Sequence, residues 1–201
     1  MRFIGITGGV GAGKSQILSY LAKKDRTRVM LADEIAHDLM KPGTLCYDRI
    51  RRCFAGEDIF LADGQFDKNR LAAVIFSDEE KRKKMNAIVH PAVREYVEEQ
   101  AAWERQQGEI TFLVLEAALL IEEHYDEICD ELWYIDTSRD NRRARLKESR
   151  GYSDVRVDQI FASQLSEEEY QRHCSVVIDN NGSLEHTFMQ IEEALRRAVY
   201  E

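Results

Sequence analysis

Short apolar runs separated by longer amphipathic stretches set the rhythm of this chain. The first run, Phe3-Ile4-Gly5-Ile6-Thr7, is apolar and β-branched and predicts a buried strand. A little further on, Ile17, Leu18 and Leu21 recur at helical spacing. Arg28-Val29-Met30-Leu31-Ala32 predicts a second strand, entered from the charged turn Lys23-Lys24-Asp25-Arg26 and ending at Asp33, with a helix over 34–40. Thr111-Phe112-Leu113-Val114-Leu115 gives a third strand that ends at Glu116, and Leu132-Trp133-Tyr134-Ile135-Asp136 a fourth. Val176-Val177-Ile178 gives a fifth, running into the turn signal Asp179-Asn180-Asn181-Gly182. The last helix carries Leu184, Phe188, Ile191, Leu195 and Val199 on one face, a core stripe. Strands that alternate with helices in this way predict an α/β fold in three layers, a five-stranded parallel sheet with helices on both faces.

Two stretches depart from that alternation. From Tyr47 to about Gln107 the pattern reads as helical and largely charged, with the turn Asp63-Gly64 inside it and Leu71, Val74 and Ile75 on one face. Ser77-Asp78-Glu79-Glu80 has capping-box spacing and is expected to open a helix; His90-Pro91 is expected to interrupt one, because a residue before proline avoids helical angles. This block is too long for a simple crossover and suggests an insertion that covers a substrate. The second stretch is dense in arginine: Arg139, Arg142, Arg143, Arg145, Arg150, Arg156 and Arg172. It reads either as exposed helices or as a lid whose guanidinium forks suit phosphoryl oxygens. The expected organisation is one domain over 1–201: a core (about 1–33, 109–138 and 174–201), a helical insertion (about 34–108) and an arginine-rich lid (about 139–173).

Composition narrows the partners. The 201 residues include 44% hydrophobic and 32% charged, an ordinary balance for a globular chain with a sizeable core. A net charge of −9 argues against nucleic acid, whose phosphates demand a basic surface. No run approaches the ~20 apolar residues of a membrane span, and no basic-then-apolar leader precedes the first strand. The four cysteines (Cys46, Cys53, Cys129 and Cys174) are scattered and read as reduced thiols, so a cytoplasmic location is expected. The sequence sets no oligomeric state.

The chemistry concentrates in Gly8-Gly9-Val10-Gly11-Ala12-Gly13-Lys14-Ser15, which fits G-x-x-x-x-G-K-[ST] between a predicted strand and a predicted helix. That context identifies a phosphate loop and a P-loop NTPase three-layer fold. Glycines free the backbone to turn successive N–H groups toward an anion, and the helix start adds its own free N–H groups and dipole. Lys14 is placed to hold the β and γ phosphates of a nucleoside triphosphate, and the Ser15 hydroxyl to complete Mg²⁺ coordination. Asp33 ends the second strand, so it either stands on the same rim as the loop, where open α/β sheets bind ligands, or caps the helix it begins. Glu116 is either a second acidic element of the metal site or a strand-end carboxylate facing water.

These residues resemble the dephospho-coenzyme A kinase family over nearly the whole chain. Ile6 to Ser15 is similar to its opening L-T-G-G-I-G-S-G-K-S, and Ala32-Asp33-Glu34-Ile35-Ala36-His37 to D-A-D-x-I-A-H, followed by Pro42-Gly43. His90-Pro91-Ala92-Val93 resembles H-P-x-V, and Val177-Ile178-Asp179-Asn180-Asn181-Gly182 resembles V-I-D-N-x-G. Glu116 to Glu122 resembles D-[IV]-P-L-L-F-E with Ala118 and Ile121 in place of the proline and phenylalanine; Leu31 replaces the first aspartate of D-A-D, and Gln16 a threonine. Arg145 and Arg150 stand one residue further apart than the family's R-x-x-x-R.

The resemblance implies ATP- and Mg²⁺-dependent phosphorylation of the ribose 3′-hydroxyl of dephospho-coenzyme A, the last step of coenzyme A synthesis. It implies nucleotide contacts from Gly9, Val10, Gly11, Ala12, Gly13, Lys14, Ser15, Gln16 and Asn180. Substrate contacts fall to Asp33, His90, Glu116 and Leu119, and the metal to Ser15 and Glu116. Catalysis falls to Asp33 as base, with Lys14, Arg142 and Arg145 neutralising charge. His90 reads equally as a turn residue. The alternatives are another phosphate-loop nucleoside, nucleotide or small-molecule kinase, and a regulatory NTP-binding protein; the N-K-x-D guanine motif is absent from the sequence.

Overall fold

The computed structural model describes residues 1–200. Strands β1 (Arg2–Thr7), β2 (Thr27–Leu31), β3 (Phe112–Glu116), β4 (Glu131–Asp136) and β5 (Val176–Asp179) form one sheet in the order β2-β3-β1-β4-β5. Every pairing is parallel. A parallel sheet needs helices over both faces, which is why its strands read as near-continuous apolar runs. On one face Ile4, Ile6, Val114, Trp133, Ile135 and Ile178 pack with Ile17, Leu18 and Leu21 of helix α1 (Lys14–Leu21) and Ile191, Ala194, Leu195 and Ala198 of the C-terminal helix (Leu184–Tyr200).

The predicted strands and helices stand where expected, within a residue or two at their ends. Register does the rest. Glu116 pairs with Ile6 of β1 on one side and with Leu31 of β2 on the other, so the acidic end of β3 lies between the strand that feeds the glycine loop and β2.

The chain divides into two compact units: Met1–Leu31 with Trp103–Glu201, and Ala32–Ala102. The second holds α2 (Ala32–Leu39), α3 (Leu45–Cys53), α4 (Lys68–Ser77) and most of α5 (Glu79–Gln107). Three expectations fail here. The stretch 54–67 is not helical: Phe60 and Phe66 form an antiparallel bridge with ring centroids 5.2 Å apart, and the Tyr47 ring lies 5.1 Å from Phe66 and 6.5 Å from Phe60. Tyr47 also donates its hydroxyl to the Gly64 carbonyl, tying helix α3 to the Asp63-Gly64 turn. This aromatic cluster outweighs the helical reading of the surrounding charges.

Ser77 does not open a helix. It is the last residue of α4, and the cap of α5 is Asp78, whose Oδ1 accepts from the N–H groups of Glu80 and Lys81. Nor does His90-Pro91 interrupt α5, which runs through Pro91 without a break. Met85, Val89, Val93, Val97 and Ala101 recur every fourth residue on both sides of the proline, and all are buried. Pro91 and Ala87, whose carbonyl loses its donor, are both exposed, so water can satisfy that carbonyl. A continuous buried stripe overrides a local break. Pro91→Ala restores the missing N–H and removes the ring clash; after the entropy that proline removes from the unfolded chain, a gain of roughly 2 kcal/mol is expected. Denaturant unfolding of the two proteins measures it, and an unchanged midpoint would show the helix already relaxed around the ring.

Between β4 and β5 lie α6 (Arg139–Arg150), α7 (Asp154–Ala162) and α8 (Glu167–His173), followed after β5 by the C-terminal helix α9 (Leu184–Tyr200). Tyr134 of β4 stacks on Tyr170 of α8 at 4.8 Å, so α8 covers the sheet face opposite α1 and α9.

Candidate active site

The glycine loop leaves β1 at Gly8 and re-enters regular structure at Lys14, the first residue of α1. Gly11 and Gly13 have φ of 85° and 90°, a region where a Cβ would be strained, so these two positions need glycine. Among the described residues, the Gly11 and Gly13 N–H groups donate to no protein acceptor. Free amides at a helix start with no internal partner are donors for an anion. Lys14 Nζ donates to the Gly8 carbonyl at 2.7 Å and lies 3.5 Å from Glu116 Oε1, both side chains being mostly covered (15% and 17% exposed). The lysine thus spans the mouth of the loop and meets the carboxylate that ends β3. Ser15 and Gln16 follow on the exposed side of the first turn.

A second set of groups holds the loop from outside. Arg142 Nε donates to the Val10 carbonyl at 3.0 Å, and its Nη2 donates to Gln164 Oε1. The same Gln164 oxygen accepts from the Val10 N–H at 3.3 Å. Arg142 is only 6% exposed, its guanidinium over the Phe161 ring at 4.4 Å, and a Cβ on Gly9 would overlap it. Burial lowers the pKa of Arg142 and raises those of the neighbouring Tyr134 and Tyr170, the latter to about 12, so the tyrosines stay neutral and the arginine remains the local charge.

Arg145 Nη1 donates to the Ala12 carbonyl at 3.1 Å and its Nη2 to the Asn180 carbonyl at 2.9 Å. Asn180 Nδ2 and Thr137 Oγ1 donate to the same Ala12 carbonyl, at 2.7 and 3.0 Å.

The arginine-rich stretch therefore separates into two sets. Arg142 and Arg145 reach the phosphate loop, where they grip its backbone carbonyls. Arg143 instead bridges Asp154 and Asp158 at 3.2 and 2.5 Å, joining α6 to α7, and Arg156 of α7 lies over Tyr152 in the connection between them at 4.3 Å. Leu119 is 42% exposed in the turn after β3. Asp33 lies inside the first turn of α2, one residue past the helix start, and is exposed; the helix begins before it, so it is not the capping residue. His90 is a half-buried residue of α5. Both belong to the second unit.

Thr137 and Gln164 escaped the sequence reading. Thr137 follows the carboxyl end of β4, a rim position that a scan of polar residues after strands would have flagged. Gln164 carries no such signal, since its partners Val10 and Arg142 are distant in sequence.

Among the described residues no group of three or more His, Cys, Asp or Glu side chains could hold a metal by themselves. One hydroxyl (Ser15) and one carboxylate (Glu116) suit magnesium, which takes few protein ligands and keeps water and phosphate oxygens around it.

A parallel sheet of this order, with a lysine-bearing glycine loop after its central strand and helical arginines gripping that loop, defines a phosphate-loop kinase. The model of the dephospho-CoA kinase family matches residues 2–186, and the chain belongs to that family. A dephospho-CoA kinase from Shouchella clausii is 36% identical over 198 residues, 98% of this chain and 99% of that protein. One from Geobacter sulfurreducens is 37% identical over 193 residues, 96% of each. The crystal structure of a Thermus thermophilus protein superimposes with a TM-score of 0.77 at 26% identity, covering 98% of this chain and 97% of the other. The family resemblance read from the residues is borne out.

Proposed function

We propose that this chain transfers the γ-phosphoryl group of ATP to the ribose 3′-hydroxyl of dephospho-coenzyme A, giving coenzyme A. Membership of the family supports this reading, and the observation that carries it is the Lys14–Gly8 bridge beside open loop N–H groups. In such a site phosphoryl transfer is mostly positioning and charge stabilisation. The N–H groups of Gly11 and Gly13 and the α1 start take the phosphates, and Lys14 follows the charge that moves to the β–γ bridge. Arg142 and Arg145 keep two further positive charges against the loop. Ser15 and Glu116 are the residues that would hold Mg²⁺, which when bound supplies charge neutralisation between the β and γ phosphates.

On the acceptor side, Asp33 is assigned as the general base. Leu31 pairs with Glu116, and Asp33 follows Leu31 by two residues on the chain. It orients the 3′-hydroxyl and takes its proton as the oxygen attacks. His90 and Leu119 are assigned to the acceptor, with the helical insertion giving it a binding surface. Asn180, 1% exposed and with its amide engaged by Ala12 and Thr187, is assigned to the nucleotide through the loop it holds and not as the direct contact the resemblance implied. We place the activity in the cytoplasm: the four cysteines are all free thiols, as a reducing compartment keeps them, and among the described residues no helix is long and apolar enough to cross a membrane.

Incubation with Mg-ATP and dephospho-coenzyme A, with product read by mass, tests the reading. Appearance of coenzyme A is expected, in preference to phosphorylated nucleosides or nucleoside monophosphates offered in parallel. Turnover of those acceptors alone would replace this substrate with another.

A further inference from the structure

The Ala12 carbonyl is held by more donors than it has lone pairs. Thr137 Oγ1 (3.0 Å), Arg145 Nη1 (3.1 Å) and Asn180 Nδ2 (2.7 Å) all converge on it. They come from the end of β4, from α6 and from the end of β5, so three separate elements meet on one peptide of the loop. Thr137 and Asn180 are each 1% exposed. The hydroxyl and amide therefore reach this oxygen without competition from bulk water, and a buried hydrogen bond is expensive to leave unmade.

The consequence follows from peptide geometry. The Ala12–Gly13 peptide is trans and planar, so its C=O and N–H point in opposite directions. Gly13, at φ 90° and without a Cβ, could otherwise let this peptide turn over. A flipped peptide would present a carbonyl oxygen to an anion in place of a donor. Three donors on one side of the peptide fix its N–H on the other, and among the described residues that N–H has no protein acceptor. Adding a Cβ to Gly13 would place it 2.5 Å from Asn180 Nδ2, so the clamp and the glycine are fitted to each other.

We propose that Thr137, with Asn180 and Arg145, is a positioning residue for the nucleotide: by anchoring the Ala12 carbonyl it keeps the Gly13 N–H turned toward the phosphates. Thr137 itself touches no phosphate. It acts through the peptide, and its hydroxyl hydrogen is the part that matters. The inference rests on the phosphate-loop reading and is independent of which acceptor the enzyme phosphorylates.

Thr137→Val, equal in shape and lacking the donor, and Thr137→Ala, smaller and free of packing strain, are compared with Thr137→Ser, which keeps the hydroxyl. Titration calorimetry with Mg-ADP needs no acceptor and so separates this question from the substrate assignment. The expected result is a Kd for Mg-ADP weakened about tenfold in the Val and Ala variants and restored to within about twofold in Ser. Where turnover is measurable, KM for ATP rises by a similar factor with the acceptor KM unchanged. Wild-type affinity in both Val and Ala variants would overturn the proposal. So would a Ser variant as weak as Val, which would trace the effect to packing. If the wild-type protein bound no Mg-ADP at all, the nucleotide reading itself would fall and this inference with it.

Discussion

Lys14→Ala is expected to weaken ATP binding and to lower kcat together, with the loss in kcat/KM on the order of 10²–10³-fold or more. Two effects add. The variant removes the ammonium group that bridges to the Gly8 carbonyl at 2.7 Å, and with it the cation assigned to the phosphates. It also takes away the ammonium group 3.5 Å from Glu116, so Lys14 no longer offsets part of the negative charge of this mostly covered carboxylate. The second effect has its own signature. Adding Glu116→Gln to Lys14→Ala should recover part of the lost affinity for nucleotide titrated without Mg²⁺, because it removes the added repulsion where no metal ligand is at stake, yet it should not recover the rate with Mg²⁺ present. Calorimetric titration of nucleotide on the two single variants and the double variant completes the cycle. Lys14→Arg is not a conservative change here, since a planar fork does not replace a compact ammonium group folded back on Gly8. Unchanged ATP affinity and kcat in Lys14→Ala would remove the phosphate-loop assignment.

Much of the frame was legible because the physics is local. The three inner strands β1, β3 and β4 are buried along nearly their whole length and so read as apolar runs, and the glycine loop is recognisable from residues 8–15 alone. What misled was also local. Pro91 is a sound breaker in isolation, and only the buried repeat from Met85 to Ala101 shows why the helix continues through it. The aromatic cluster of Tyr47, Phe60 and Phe66 was hidden because its members are spaced by no regular period. The candidate site was half legible. Lys14 and Glu116 each end or begin a predicted element, and the sheet register brings them together. Arg142 and Arg145 were read as phosphate ligands from charge type, whereas the structure engages them with loop carbonyls more than 130 residues away. No spacing rule reaches that far. Thr137 and Gln164 share this character: their chemistry lies in backbone groups they meet only after the sheet has formed.

Asp33→Asn is expected to leave nucleotide affinity within about twofold of wild type while kcat falls by roughly 10²–10⁴-fold, the range a positioned general base contributes. The amide is close to the carboxylate in size and can still accept a hydrogen bond from the 3′-hydroxyl, but it cannot take the proton. The phosphate loop, its lysine and its carbonyl anchors are untouched. Asp33 is exposed in the first turn of α2, so the substitution also removes a favourable charge at a helix start, at a stability cost of about 0.3–1 kcal/mol. That cost is too small to account for a hundredfold drop in rate, which corresponds to ~2.7 kcal/mol. Glu34 provides the control. It occupies the same first turn, is equally exposed, and Glu34→Gln removes the same charge from the same dipole. If the loss in Asp33→Asn came from the helix or from net charge, the two variants would behave alike. A base role requires that they diverge, with Glu34→Gln turning over dephospho-coenzyme A at close to the wild-type rate. Near-normal kcat in Asp33→Asn would move the base to another residue, and equal losses in both variants would make α2 a structural element of the acceptor site with no proton to accept.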